Sequence, residues 1–103
     1  MPDHLFHLTT AGEWAAARKA GEVVPAGFAT EGFVHCSTAA QIDGVFHRYY
    51  EDLEDPVLLR LDPDGLDVRW EGAPEQFPHV YSPLPVDAIR AAADPWRPGT
   101  PLP

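Results

Sequence analysis

Residues 31–41 read EGFVHCSTAAQ, with a histidine, a cysteine, a serine and a threonine at four consecutive positions. Side chains on a strand alternate between its two faces. A strand over GFVHCS therefore sets Phe33, His35 and Ser37 on one face and Val34 and Cys36 on the other. His35 and Ser37 then lie about 7 Å apart along the strand, near enough to line one pocket but too far for a nucleophile–base contact. Cys36 falls beside Val34 on the apolar face and reads as a core residue, because a reactive thiolate needs exposure and a positive neighbour. TAAQ at 38–41 has the form of a capping box, with Thr38 or Ser37 capping the helix behind it. That helix carries Ile42, Val45, Phe46, Tyr49 and Tyr50 at the spacing of a core-facing stripe. The stretch reads as a strand entering a capped helix, with a polar pair left facing a pocket.

Upstream, HLFHLT (4–9) alternates as a strand, with His4, Phe6 and Leu8 on one face and Leu5, His7 and Thr9 on the other. TAGE (10–13) fits a capping box, with Thr10 as N-cap and Glu13 reaching back, opening a helix over about 11–20 that turns Trp14 and Ala17 inward and stops at Gly21. EVVPAGFATEG (22–32) reads as a loop. Downstream, PVLLRLD (56–62) is an apolar strand closed by an Asp-Pro-Asp-Gly turn, and LDVRWEG (66–72) is a strand able to pair with it as a hairpin. On that second strand Val68 and Trp70 share a face; Glu71, opposite, reads most simply as a surface carboxylate. FPHVYSPLP (77–85) holds three prolines, which points to an edge strand or extended segment presenting His79 and Tyr81 together. VDAIRAAA (86–93) reads as a short helix. Eight of the twelve prolines fall at or after residue 74. That composition shift suits a single domain over 1–94 and a proline-rich tail over 95–103, tied down through Trp96 or else loose. The whole order predicts an α+β fold: a small mixed or antiparallel sheet with two to three helices packed on it.

A chain of 103 residues supports one core and no more. Sixteen acidic against seven basic residues give a net charge of −9, a field that repels phosphate backbones and anionic lipid. Nucleic acid and membrane surfaces are therefore not expected partners, and a small-molecule ligand is. No apolar run approaches the roughly 18 residues of a membrane span. MPDHLFHL carries no secretory pattern and the single cysteine allows no internal disulfide, so a cytoplasmic location is expected. Five histidines raise the question of a metal, but His4 and His7 face opposite ways and neither HExxH nor CxxC occurs, so no metal site is expected. Nothing in the chain indicates an oligomeric state.

HLTTAGEWAAARKAG, EGFVHCSTAAQIDGVFHRYY, LLRLDPDGLDVRWE and FPHVYSPLPVDAI together resemble the DUF952 family of small bacterial proteins, over nearly the whole chain up to Ile89. That family is grouped with the ADP-ribosyltransferase-like superfamily, which implies that fold and implies NAD as the substrate. In that resemblance His7 and Thr9 hold the nicotinamide end and ribose, and His35 contacts the nicotinamide or ribose. Ser37 and Thr38 continue the hydroxyl run, and Glu71 steadies a ribosyl cation. Leu8 stands where glycine is usual and His35 where tyrosine is usual. A pocket kept with changed chemistry would instead use His35 or His79 as general acid or base, with Thr9, Ser37 and Tyr81 orienting a nucleotide-like or other small polar metabolite. The rival from another class is a non-catalytic module that binds a metabolite or partner through the same pocket.

Overall fold

The computed structural model describes residues 2–103. Its centre is a three-stranded antiparallel sheet of β1 (Leu5–Thr10), β4 (Pro56–Leu61) and β8 (Ile89–Ala93), with β4 in the middle. This sheet is buried on both faces, which is why PVLLRL is an almost unbroken apolar run. Leu5, Val57, Leu59 and Leu61 join one core with Trp14 and Ala17, while Phe6, Leu8 and Leu58 join a second with Ile42, Phe46 and Trp96. Strand alternation puts His7 and Thr9 on the face of Leu5, and both are buried.

Between β1 and β4 run α1 (Ala11–Ala20), β2 (Glu22–Val23), the one-turn helix α2 (Phe28–Glu31), β3 (Val34–His35) and α3 (Ile42–Val45). Thr10 caps α1, its hydroxyl accepting from the Glu13 amide at 3.1 Å, and Gly21 ends it in the left-handed region at φ 90°. The Glu13 carboxylate does not reach back to the cap as expected, because it accepts from the Thr9 hydroxyl instead. The 22–32 stretch, expected to be a loop, instead supplies β2, which pairs with β7 (Leu84–Pro85), and α2. Thr38 and Gln41 make the reciprocal bonds of a capping box across the turn that precedes α3: the Thr38 amide donates to Gln41 Oε1 at 3.1 Å and the Gln41 amide to Thr38 Oγ1 at 3.3 Å.

The helix behind this cap departs from the regular stripe. After α3 it widens into a π-helix over Phe46–Tyr50. Such a turn advances about 80° per residue rather than about 100°. Phe46 and Tyr50 stay near the core side, and Tyr49 is carried round to 73% exposure, contrary to the expected stripe.

A second three-stranded antiparallel sheet is made of β3, β5 (Val68–Glu71) and β6 (Phe77–Val80), in the order β3-β6-β5. Two expectations are corrected here. No hairpin joins 56–62 to 66–72, because both edges of β4 are already taken by β1 and β8. The proline-bearing 77–85 stretch is not an edge, since β6 is the middle strand. Pro78 is tolerated because it sits opposite Cys36, where β3 ends. Its carbonyl accepts from the Cys36 amide at 3.0 Å, and the return bond, which needs a Pro78 N–H, is not made. The chain then leaves this sheet, and Ser37 exchanges two 2.8 Å backbone bonds with Phe6 of β1.

VDAIRAAA is also not a helix. A 3-10 turn over Val86–Ala88 leads into β8, in which Ile89, Ala91 and Ala93 are half-buried and Arg90 and Ala92 exposed. Pairing with β4 overrides the helix preference of alanine. Beyond it Trp96 is 1% exposed, donating its amide to the Pro56 carbonyl at 2.9 Å. Among the described residues no helix is long and apolar enough to cross a membrane. Because Trp96 completes the second core, Trp96→Ala should cost about 3–5 kcal/mol of unfolding free energy in urea titrations followed by circular dichroism.

Candidate functional site: a histidine cleft beside the second strand

Two cavities meet at Glu31, His35 and Tyr50, which line both. The smaller, about 230 Å³, is completed by His7, Thr9, Glu13, Phe28 and Phe33 among others. The larger, about 620 Å³, is bounded by Ser37, Arg48, Tyr49, Glu71, Phe77 and His79 among others. The strand alternation of β3 accounts for the split of the EGFVHCSTAAQ cluster. Val34 is fully buried and Cys36 is 3% exposed, and burial pushes the Cys36 thiol up to about 12, so it is no nucleophile.

The imidazoles of His35 and His79 face each other across the β3–β6 pairing, ring centroids 5.1 Å apart. Phe33 packs against both, stacked on His79 at 4.1 Å and edge-on to His35 at 4.8 Å. Each ring is held by a carboxylate on one nitrogen. His79 Nδ1 donates to Glu71 Oε1 at 2.9 Å, and His35 Nε2 donates to Glu31 Oε2 at 2.9 Å. Since a carboxylate only accepts, these bonds fix the proton on the bonded nitrogen and leave the other nitrogen of each ring for a ligand.

Glu71, which looks like a surface residue in sequence, is the hub of this arrangement. Strand pairing brings it beside His79, and the Tyr81 hydroxyl donates to the same Oε1 at 2.5 Å. The Tyr81 bond first, and the His79 bond second, hold the Glu71 carboxyl below its ordinary value, while Glu71 pushes the Tyr81 phenol up. The Arg69 guanidinium lies 4.2 Å from the Tyr81 ring centroid and closes the far side. Gly72 follows at φ 119°, where an added Cβ would come within 2.7 Å of the Glu75 carbonyl, so the turn out of β5 admits no side chain.

His7 is reached from the other side. Its Nδ1 donates to the His35 carbonyl at 2.7 Å, its Nε2 is buried without a partner, and burial holds the ring below its ordinary value against that bond and Glu13. Thr9 shares the smaller cavity and donates its hydroxyl to Glu13 Oε1 at 3.1 Å.

Of the residues singled out from sequence, His7, Thr9, His35, Ser37, Glu71 and His79 line the joined cleft. Tyr81 lines neither cavity and acts through Glu71. Thr38 lines neither as well, its hydroxyl being engaged in the helix cap. The wall residues Glu13, Glu31, Phe33, Arg48 and Tyr50 were not singled out. Phe33 shares the face of His35 and was open to notice, whereas Glu31 depends on the unforeseen turn of α2. Among the described residues no group of three or more His, Cys, Asp and Glu side chains is placed to hold a metal ion.

The fold and cleft define a small α+β domain of two principal antiparallel sheets with a histidine–carboxylate cleft opening beside the strand that joins them. The chain belongs to the family described as protein of unknown function DUF952, whose model matches residues 8–92. It is similar to the crystal structure of protein CC0527 from Caulobacter crescentus, 28% identical, with a TM-score of 0.82 over 88% of this chain and 84% of that one. The solution NMR structure of the same protein, also 28% identical, gives 0.78 over 90% and 84%. No curated protein matches the chain.

A pH dependence follows from His7. Its imidazole is buried neutral, so its folded value lies below its unfolded one. The unfolded chain therefore takes up a proton first as pH falls, and stability is lost from about pH 6.5 downward. Glu71, depressed from 4.5, adds a separate loss only below that value. Urea titrations between pH 7.5 and 5 should show a slope that His7→Phe removes.

Proposed function

We propose that the chain is an enzyme in which His35 and His79 act as a general acid–base pair on a small polar metabolite, nucleotide-like in kind, bound in the joined cleft. The observation that carries this reading is the pair itself: two imidazoles 5.1 Å apart, each oriented by its own carboxylate, beside a cavity of about 620 Å³. One imidazole then takes a proton while the other gives one, the exchange to which the histidine side chain is suited. Ser37 offers a hydroxyl within the same cavity, and Arg48 offers it a cation for a phosphate or carboxylate group.

The more specific form of this reading is ADP-ribosyl transfer from NAD, on an ADP-ribosyltransferase-like fold. It is favoured by His7 and Thr9 sharing a cavity with His35, and by the buried acceptor on His7, which suits a ribose hydroxyl. In that reaction the bond between ribose and nicotinamide breaks and its electron pair leaves with nicotinamide. Glu71 steadies the ribosyl cation, and the incoming nucleophile gives its proton to His35 or His79. The alternative, a non-catalytic module, uses the same cleft for binding alone.

A thermal-shift series with NAD, ADP-ribose and common nucleosides separates these readings. A ligand that raises Tm should do so in the wild type and fail in His35→Ala. If NAD is the substrate, nicotinamide should appear on incubation, with His35→Gln and His79→Gln each slowing its release about 10²–10⁴-fold. Absence of both nicotinamide and any shift with NAD or ADP-ribose rules out the transferase form. Binding without turnover of any ligand in the series favours the non-catalytic module.

A further inference from the structure

The smaller cavity has a chemical character that the acid–base reading leaves unused. Its charged side chains, Glu13 and Glu31, are both acidic, and no lysine or arginine lines it. Its remaining polar side chains are largely committed as donors elsewhere. Thr9 donates to Glu13, and His7 gives its only neutral-state proton to the His35 carbonyl. His7 is 4% exposed, forms part of the wall, and keeps a buried Nε2 that accepts and has no partner. A buried acceptor without a donor is costly, which makes it an observation independent of the two carboxylates.

Aromatic rings complete the enclosure. Phe28, Phe33 and Tyr50 line the same space. Burial first, and the charge of Glu13 second, push the Tyr50 phenol up. Two carboxylates and one unpartnered acceptor, walled by aromatic faces, are complementary to a group that brings both positive charge and N–H donors. An anion in this space would meet two carboxylates and no lysine or arginine.

We infer that the 230 Å³ cavity is a binding site for a small organic cation, a protonated amine or guanidinium on an apolar body, held by Glu13, Glu31 and His7 and covered by Phe28, Phe33 and Tyr50. The inference rests on the cleft being a ligand site and names the chemistry of the ligand end that enters it. It does not require the histidine pair to be catalytic. A ligand reaching through to the larger cavity would turn its amine end inward here and any acidic end outward to Arg48.

The test is isothermal titration calorimetry with three probes of one shape: phenethylamine, its neutral analogue 2-phenylethanol, and the anion 3-phenylpropanoate. The amine should bind and the alcohol should bind at least about tenfold more weakly, the difference expected for a charged hydrogen bond. The anion should not bind at all. Glu31→Gln, at a half-exposed position that the fold does not depend on, should weaken the amine about tenfold, and Glu13→Gln should do likewise. Equal affinity for amine and alcohol, preference for the anion, or no binding of the amine at millimolar concentration would overturn the site. Turnover is not read in this experiment. Its failure therefore leaves the acid–base pair standing, and failure of that pair leaves amine binding intact.

Discussion

The pair of 2.8 Å backbone bonds between Phe6 and Ser37 is the junction on which the rest of the molecule hangs. One side of it is the β1-β4-β8 sheet, with a core on each face; the other is the β3-β6-β5 sheet, which carries the histidines. The two sheets meet here because backbone groups alternate along the strand, and the Cys36 amide still bonds Pro78 of β6. The next residue, Ser37, turns its N–H and C=O to the opposite edge, where Phe6 takes both. One strand thus serves both sheets, through its two edges at successive residues.

That junction also assembles the cleft. Because Ser37 meets Phe6, the next residue of β1, His7, comes under β3 and donates to the His35 carbonyl. His35 in turn is opposite His79 in the β3–β6 register. Three histidines from three strands are thereby linked, one through a backbone carbonyl and two through their rings. Their environments differ. His7 is desolvated and neutral, whereas His35 and His79 are each tied to a carboxylate near the cleft opening. The negative charge of the chain, spread over its surface in the sequence, becomes local here as Glu13, Glu31 and Glu71.

Much of the local structure was legible beforehand because it depends on neighbours in the chain. The Thr10 cap, the Gly21 stop and the reciprocal Thr38–Gln41 bonds are short-range hydrogen bonds written in adjacent residues. The faces of β1 and β3 follow from the two-residue period of any strand. What failed was pairing. The apolar strand 56–62 was matched to 66–72, its neighbour in sequence, whereas β1 and β8 take its two edges. IRAAA alternates as a strand should, yet its alanines speak for a helix until β4 offers an edge. Tyr49 left the core stripe because the π-turn changes the angular step, and nothing in the heptad-like spacing announces it.

By itself the sequence determined an α+β chain, the buried and therefore inert character of Cys36, and the presence of His35 and Ser37 on one face. These are consequences of periodicity and of hydrogen bonds spanning four residues or fewer. Only the tertiary structure decided that Glu71 is the anchor of His79 and Tyr81 and not a surface charge, and that Glu31 and Glu13 wall the cavity around His7. Those relations join residues six to twenty-four apart along the chain. They are set by which strand edges remain open once the core is filled, a quantity that no local pattern encodes.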